Sequence, residues 1–339
     1  MHAFLERLAR RVHLTLAESE ALFRAVVLGS VDPSVLAALL ALFRAKGETA
    51  DELAGAARAL RDTAEPLARG PAPIGDTCGT GGDGACTLNV STAAALVCAA
   101  AGLPIAKHGN RAVSSASGSA DVLEALGADI DVAPSVAERA LRETGFCFLF
   151  APRMHPGVRH AMPVRRALRM RTIFNLLGPL VNPARPEFQL LGTPERALVV
   201  PLAETLRLLG CRAALVVFGD GIDELALHGS STAALLRDGA ITELELTPED
   251  AGIPRAPRDA LAGGSPQENA AELEALLLGR GRPAFVSAVC LNAGALLWVS
   301  GRAPNLGDGA LQARAALESG GAAEVLARYK EVCRASRAA

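Results

Sequence analysis

Apolar residues over the first 65 positions recur with the spacing of amphipathic helices. One face of the second predicted helix carries Leu22, Phe23, Val26 and Val27. Thr15 and Thr49 are each followed three residues later by Glu, the capping-box spacing that begins a helix. We therefore predict four short helices in this region, followed by a Pro/Gly-rich linker at residues 67–74.

Beyond the linker, short apolar runs alternate with segments of helical periodicity. The runs Phe146–Phe150 and Ala213–Phe218 have the composition of buried strands. Such alternation is typical of parallel strands joined by crossover helices. We predict the α/β class, with a small all-helical domain at residues 1–70 joined by about 163–183. Residues 71–339 form a larger α/β domain around a mainly parallel central sheet.

Composition narrows the class of protein further. Half of the 339 residues are apolar, only 4% are aromatic, and the formal net charge is −2. A chain without a basic surplus or tail is not expected to bind nucleic acid. The charged N-terminal stretch does not resemble a signal peptide, and no apolar run is long enough to cross a membrane. The seven cysteines include no C-x-x-C pair, which favours reduced thiols in a cytoplasm.

A glycine-rich turn at residues 79–84 is the first candidate for ligand chemistry. Glycines let consecutive backbone N–H groups converge on an anion. The spacing also fits the dinucleotide-binding fingerprint, but that motif needs a helix at its last glycine and an acidic residue after the next strand. Here the residue after the strand is Lys107, and residues 85–90 do not begin as a helix. We therefore expect a phosphate-binding turn of another kind.

Two polar segments follow this turn. Asn89, Ser91 and Thr92 stand at a predicted helix start, where they serve as caps or as contacts to a phosphate. The neighbouring glycine turn favours the phosphate. A strand then leads to residues 107–119, which are either a solvated loop before a helix capped by Ser119 or a second phosphate cradle with Lys107 as a donor.

Three further positions are chemically suggestive. His155 follows a strand end, where it orients an aromatic substrate or has only a structural role. One of the arginines Arg165 and Arg166 can pair with a substrate carboxylate, although a helical arginine is usually solvated. Asp223 and Glu224 lie in a turn after a strand, where neighbouring carboxylates suit Mg²⁺ beside a pyrophosphate or are simply solvated.

The motifs GTGGDG, NVST, KHGNRAVSSASGSADVLEALG, PVRR and RTIFNLLGPLVNP together resemble the anthranilate phosphoribosyltransferase family. The resemblance covers nearly the whole chain and is densest over residues 75–183. It implies transfer of the phosphoribosyl group of phosphoribosyl pyrophosphate to the amine of anthranilate. It also implies Mg²⁺, with two ions per site, and the apolar helical N-terminus favours a homodimer through the helical domain.

The resemblance assigns roles residue by residue. It selects Arg165 over Arg166, with Asn110, for anthranilate, and it selects Ser91, Asp223 and Glu224 for the metal. The substrate-binding set implied by the family is Gly79, Gly82, Asp83, Thr87, Asn89, Val90, Ser91, Thr92, Lys107, His108, Gly109, Asn110, Arg111, Ala112, Val113, Ser114, Ser115, Ser119 and Arg165. No residue is assigned as a general acid or base, because an aromatic amine is already neutral and nucleophilic at neutral pH.

One departure and two alternatives accompany this hypothesis. Ala116 stands where relatives often carry Lys or Arg, which predicts a modest weakening of phosphate binding. A nucleoside phosphorylase of related fold is the first alternative, and it would not need Arg165 or the Asp223–Glu224 pair. The second is a non-catalytic relative that binds nucleic acid, which the net charge of −2 disfavours.

Overall fold

The computed structural model describes residues 1–82, 84, 86–112 and 116–335. The chain begins with four helices, α1 His2–Ala9, α2 Leu16–Val27, α3 Pro33–Lys46 and α4 Ala50–Asp62. The predicted capping boxes at Thr15 and Thr49 are confirmed, since each threonine and the Glu three residues later exchange hydrogen bonds. The four-helix prediction for this region is therefore confirmed.

The described part of the chain contains one seven-stranded sheet, ordered β3-β2-β1-β4-β5-β6-β7. The strands are β1 Gly75–Gly79, β2 Ile105–Gly109, β3 Phe146–Phe150, β4 Phe188–Gly192, β5 Ala213–Phe218, β6 Ser231–Arg237 and β7 Ala240–Leu246. The first five are parallel, and β6 and β7 add an antiparallel edge. The predicted α/β class with a mainly parallel sheet is confirmed, whereas the antiparallel edge was not foreseen.

Helices cover both faces of the sheet. After the first four they are α5 Val90–Ala100, α6 Ser119–Ala125, α7 Pro134–Thr144, α8 Ala151–Met154, α9 Met162–Leu168, α10 Phe174–Leu177, α11 Val199–Leu208, α12 Pro266–Leu277, α13 Pro283–Val299, α14 Leu306–Glu318 and α15 Gly321–Ala335. None of the described helices is both long and apolar enough to cross a bilayer.

Alternate residues of the central strands point to two separate cores. Leu190, Leu215 and Val217 join the larger core with α5 and α13. Leu191, Val216 and Ala234, which alternate with them, join a second core formed with α1–α4 and α11. Segment 161–181 also contributes to this second core. The helical region is therefore packed against one face of the sheet.

The strand order identifies where a ligand fits. The chain moves from β1 to β2 and β3 on one side, then returns to β4 on the other side of β1. In open α/β sheets, a crevice opens at the carboxyl ends of the strands where the order reverses. The glycine-rich turn leaves β1 at this point, between β2 and β4.

Candidate active site

The glycine-rich turn is held directly at the reversal of strand order. β1 extends to Gly79, the first residue of the predicted turn, and Thr80 N donates to the carbonyl of Gly192 at the end of β4 (2.9 Å). Gly81 and Gly82 have φ values of +69° and +80°, which L side chains rarely adopt. The turn therefore requires glycine at these two positions.

Asp223 reaches into this turn from the loop after β5. Its Oδ2 accepts a hydrogen bond from Gly81 N at 2.8 Å. A Cβ atom on Gly79 would overlap the Asp223 carboxylate, and a Cβ on Gly192 would overlap the Asp223 backbone carbonyl. The glycines at the ends of β1 and β4 thus leave room for Asp223, a reason for them that the sequence analysis did not anticipate.

Glu224 caps the helix that follows the glycine turn. Its Oε1 accepts from Ser91 N in the first turn of α5 at 3.1 Å, where unpaired N–H groups favour negative charge. Asn89 is the N-cap residue, but its side chain makes no capping bond and turns instead towards Asn269 and Ser117. The capping interpretation is therefore wrong for Asn89, because a carboxylate distant in sequence supplies the cap.

The donor set at this corner fits a hard divalent cation. The Asp223 carboxylate bonds the glycine turn, the Glu224 carboxylate bonds Ser91 N, and Ser91 also carries a hydroxyl; Mg²⁺ prefers such oxygen ligands. Among the described residues, no group of three or more His, Cys, Asp or Glu side chains could hold a metal by itself. An ion bound here would therefore need water or phosphate oxygens to complete its coordination.

Lys107 brings a buried cation to the same corner. It lies within β2, where the strand continues to Gly109, and its side chain is almost completely buried. Nζ donates to the carbonyl of Thr77 at 2.6 Å and to Ser91 Oγ at 3.3 Å. Burial raises the pKa of nearby Asp76 to about 6, against the opposing effect of Lys107. The ammonium group thus stands beneath the α5 start, close to the predicted metal ligands.

His108 is held as a neutral ring. Its Nδ1 lies 3.1 Å from the carbonyl of Gly178, an acceptor only, so Nδ1 carries the proton. Burial, followed by the neighbouring His155, lowers the pKa of His108 to about 3. The two rings meet edge to face at 5.1 Å, and burial lowers the pKa of His155 to about 4. Neither ring is a strong base in this environment.

The loop after β2 is organised by an acid on α6. Asp121 Oδ2 accepts from Ala112 N (2.8 Å) and Gly118 N (2.9 Å). The N-cap of α6 is Gly118, so the alternative in which Ser119 caps this helix is wrong. The guanidinium of Arg111 is exposed and pairs with Asp121 and Glu124, which directs its charge onto α6. Asn110 is exposed at the end of β2.

Two arginines of segment 161–181, Arg165 and Arg171, have different partners. Arg165 is half-buried on α9, with Cζ 5.1 Å from the centre of the Phe174 ring, and burial lowers its pKa. No carboxylate among the described residues pairs with it. Arg171 pairs with Glu195 (2.8 Å), and a Cβ on Gly82 would lie 3.7 Å from the Arg171 guanidinium carbon. Arg166 is exposed.

The predicted site residues therefore fall into three groups. One group meets at the ends of β1, β2 and β5 and at the start of α5, and comprises Gly79, Gly82, Asn89, Val90, Ser91, Thr92, Lys107, His108, Gly109, Asp223 and Glu224. A second group borders it, and comprises Thr87, Asn110, Arg111, Ala112 and Ser119. Arg165 is placed separately on α9, over the Phe174 ring. Predictions for Asp83, Val113, Ser114 and Ser115 lie outside the described residues.

Two residues that contact the site, Asn269 and Arg171, were not predicted from the sequence. Asn269 bonds to Asn89 across 180 positions of the chain, and Arg171 borders the glycine turn from the segment after α9. Asn269 stands in no motif with a recognised spacing. Arg171 begins the motif RTIFNLLGPLVNP, but nothing local in that motif indicated a contact with the glycine turn.

Family models match most of the chain. Residues 2–64 match the helical bundle domain of a glycosyl transferase family, and residues 72–323 match the a/b domain of the same family. Anthranilate phosphoribosyltransferase from Sorangium cellulosum is 56% identical over 98% of this chain and 96% of its own length. The enzyme of that name from Aeromonas hydrophila is 50% identical over 97% and 96%, respectively.

Solved structures agree with these relatives. Anthranilate phosphoribosyltransferase from Thermus thermophilus superposes with a TM-score of 0.93 at 44% identity, covering 98% of this chain and 99% of that one. The Saccharomyces cerevisiae enzyme in complex with PRPP and Mg has a TM-score of 0.88 at 27% identity, covering 98% and 97%. The chain thus belongs to the anthranilate phosphoribosyltransferase family.

Proposed function

We propose that this chain transfers the phosphoribosyl group of 5-phosphoribosyl 1-pyrophosphate to the amine of anthranilate. The products are N-(5-phosphoribosyl)anthranilate and pyrophosphate, a step of L-tryptophan biosynthesis. One observation carries the proposal: Asp223 and Glu224 meet the glycine turn and the α5 start at the point where the strand order reverses. Family membership supports the same reaction.

Charge on the departing pyrophosphate is the main obstacle to this reaction. The amine nitrogen bonds to ribose C1 as the bond from C1 to the pyrophosphate oxygen breaks, and the amine proton passes to water. Backbone N–H groups of the glycine turn and the α5 start face this charge, and Lys107 lies beneath it. Asn89, Val90, Ser91 and Thr92 would hold phosphoribosyl oxygens, as would the loop 107–115 with Ser119.

Asp223, Glu224 and Ser91 would hold Mg²⁺, which stabilises developing charge on phosphate oxygens when bound. The hard oxygen donors at this corner support this assignment. We propose two ions per site, because Asp223 and Glu224 can each hold one ion and a pyrophosphate offers several anionic oxygens to both.

Anthranilate would lie between Asn110 and Arg165. The guanidinium of Arg165 is half-buried. A substrate carboxylate that accepts from two of its nitrogens would have a fixed orientation, and so would the anthranilate ring that carries the carboxylate. His108, with a pKa of about 3, cannot serve as an efficient base, and it is expected to contact the aromatic ring instead. Positioning of a neutral nucleophile then supplies much of the rate.

Anthranilate fluorescence provides the test. Purified protein is mixed with anthranilate, phosphoribosyl pyrophosphate and Mg²⁺, and the loss of fluorescence is followed with and without EDTA. The proposal predicts loss that EDTA stops. Turnover of a nucleoside with inorganic phosphate, in the absence of any anthranilate loss, would instead support the nucleoside phosphorylase alternative.

We also infer a homodimer through the helical region and a cytoplasmic location. Exposed apolar side chains on that region support the first, and cysteines without disulfide bonds support the second. We further propose domain limits at 1–70, with 163–183, and 71–339; the two separate cores support this division.

A further inference from the structure

Asn269 makes two hydrogen bonds, and one of them is to Asn89, a predicted phosphoribosyl-binding residue. Asn269 lies on α12 with a side chain that is only 2% exposed. Oδ1 accepts from Gly264 N at 2.8 Å, and Nδ2 donates to Asn89 Oδ1 at 2.9 Å. Because the partner at Gly264 is a donor only, the orientation of the Asn269 amide is determined, and its Nδ2 must face Asn89.

Asn89 passes this connection to the second polar loop. Its Nδ2 donates to the carbonyl of Ser117 at 3.2 Å, and its Oδ1 also accepts from Ser117 Oγ at 3.4 Å. One chain of amide hydrogen bonds therefore runs from Gly264 through Asn269 and Asn89 to Ser117. It joins the segment before α5 to the loop before α6, and both segments border the predicted phosphoribosyl group.

Backbone pairing holds the two ends of this chain together. Leu88 N donates to Leu261 O (2.9 Å), and Gly263 N donates to Cys86 O (2.8 Å), on either side of an antiparallel bridge between Thr87 and Ala262. A Cβ on Gly263 would lie 2.8 Å from both Asn269 Oδ1 and Thr87 O. Glycine at this position thus permits the close approach of α12 to the segment before α5.

We propose that Asn269 is a positioning residue for phosphoribosyl pyrophosphate. Resting on the function proposed above, it acts through Asn89, holding the α5 start and the loop before α6 at the separation that the phosphoribosyl group requires. Asn269 is not expected to contact anthranilate. Its loss should therefore weaken one substrate and leave the other nearly unaffected.

The test is the isosteric substitution Asn269→Asp. It replaces the donor that faces Asn89 with an acceptor, while the bond from Gly264 N can persist. A flip of the Asn89 amide would restore that contact only by turning Asn89 Oδ1 against the carbonyl of Ser117. Asn305→Asp is the matched control, because Asn305 is an exposed helix cap of α14.

We expect Asn269→Asp to raise the KM for phosphoribosyl pyrophosphate about 10-fold, since a buried donor–acceptor pair becomes unsatisfied. The KM for anthranilate should change less than about 2-fold, and Asn305→Asp should resemble the wild type. Calorimetric binding of phosphoribosyl pyrophosphate with Mg²⁺ should show the same weakening without requiring turnover. Asn269→Ser should show the same split if the aspartate variant does not fold.

Equal changes in both KM values, or a lower melting temperature with both KM values unchanged, would overturn the positioning role. The proposed function would survive that result. Wild-type protein that binds phosphoribosyl pyrophosphate but never consumes anthranilate would overturn the proposed function, and calorimetry on the variant would still decide the role of Asn269. Wild-type protein that does not bind phosphoribosyl pyrophosphate would overturn both.

Discussion

Asp223 and Glu224 show how two neighbouring side chains can organise a site made from distant parts of the chain. Asp223 bonds the glycine turn after β1, and Glu224 bonds the start of α5. In both cases a carboxylate accepts from a backbone N–H that a phosphate oxygen could also use. Binding of a pyrophosphate with its metal would therefore exchange these contacts rather than enter an unoccupied cavity.

Substitution of Arg165 tests the anthranilate subsite. Arg165→Ala should raise the KM for anthranilate about 10- to 100-fold, because a charge-assisted pair with the substrate carboxylate is lost. The KM for phosphoribosyl pyrophosphate should stay within about 2-fold. Steady-state kinetics on both substrates provides the measurement, with exposed Arg166→Ala as the control. Equal effects on both substrates would contradict the assignment.

Arg171 is expected to help to bind phosphoribosyl pyrophosphate. Its guanidinium borders Gly82 and pairs with Glu195, so it adds positive charge beside the turn that faces pyrophosphate. Arg171→Gln should raise the KM for phosphoribosyl pyrophosphate about 10-fold, whereas exposed Arg169→Gln should have little effect. An unchanged KM for phosphoribosyl pyrophosphate in Arg171→Gln would remove Arg171 from the site.

At the scale of single residues, the sequence predicted those side chains that stand in recognisable motifs. Asp223, Glu224, Ser91 and Lys107 meet at one corner as the motifs suggested. The positions of Asn269 and Arg171 could not be predicted, because they depend on how α12 and the segment after α9 pack onto the sheet. No local pattern of residues encodes such long-range packing.

At the scale of elements, strand ends and helix starts converge because the parallel strands end at one edge of the sheet. Periodicity predicted the two buried strands at Phe146–Phe150 and Ala213–Phe218 to the residue. The antiparallel direction of β6 and β7 escaped prediction, since it depends on pairing with β5 rather than on their own composition.

Substitution of Gly79 tests whether the end of β1 must leave room for the Asp223 carboxylate. Gly79→Ala places a methyl group where the Asp223 carboxylate lies, so the loop after β5 must move. We expect turnover to fall about 100-fold, because small displacements of charged groups at a reaction centre are costly. Gly229→Ala is the control, since nothing lies within 4 Å of a Cβ there. Wild-type turnover in Gly79→Ala would show that this loop position is not required.

The buried histidines predict how stability depends on pH. Burial lowers the pKa of His155 to about 4, so the unfolded chain binds a proton near pH 6.5 that the folded chain does not. The contribution of His155 to stability is therefore fully present above pH 6.5, and it is lost as the pH falls towards 4. Between pH 7 and pH 5, His155 should contribute a loss of about 2 kcal/mol in the free energy of unfolding.

Urea unfolding of the wild type and His155→Gln at both pH values provides the measurement. The variant should lose less stability on acidification, whereas exposed His2→Gln should follow the wild type. Parallel losses in the wild type and His155→Gln would show that His155 does not titrate in this way.

At the scale of the whole molecule, the second core extends from the four N-terminal helices onto one face of the sheet. Segment 161–181 carries Arg165 and Arg171 and packs into this core, while the glycine turn and Lys107 belong to the sheet. The predicted anthranilate contact thus belongs to one region, and the predicted phosphate contacts belong to the other. Movement between the two regions would change the distance between the substrates.

We predict a homodimer of twice 34.9 kDa by light scattering at micromolar concentration. The helical region exposes Val12 (45%) and Leu28 (63%), apolar side chains that an interface would cover. Leu28→Glu should therefore shift the protein towards the monomer. Leu311→Glu on α14, where the leucine is 65% exposed, is the control and should leave the mass unchanged. A monomeric wild type would rule out this assembly.

The stoichiometry of the reaction tests most directly whether this chain couples consumption of anthranilate to release of pyrophosphate. Anthranilate fluorescence and pyrophosphate release are recorded together, with phosphoribosyl pyrophosphate in excess and Mg²⁺ present. We expect one pyrophosphate to be released for each anthranilate consumed, and neither change after EDTA is added. Pyrophosphate release without loss of anthranilate, or no release at all, would contradict it.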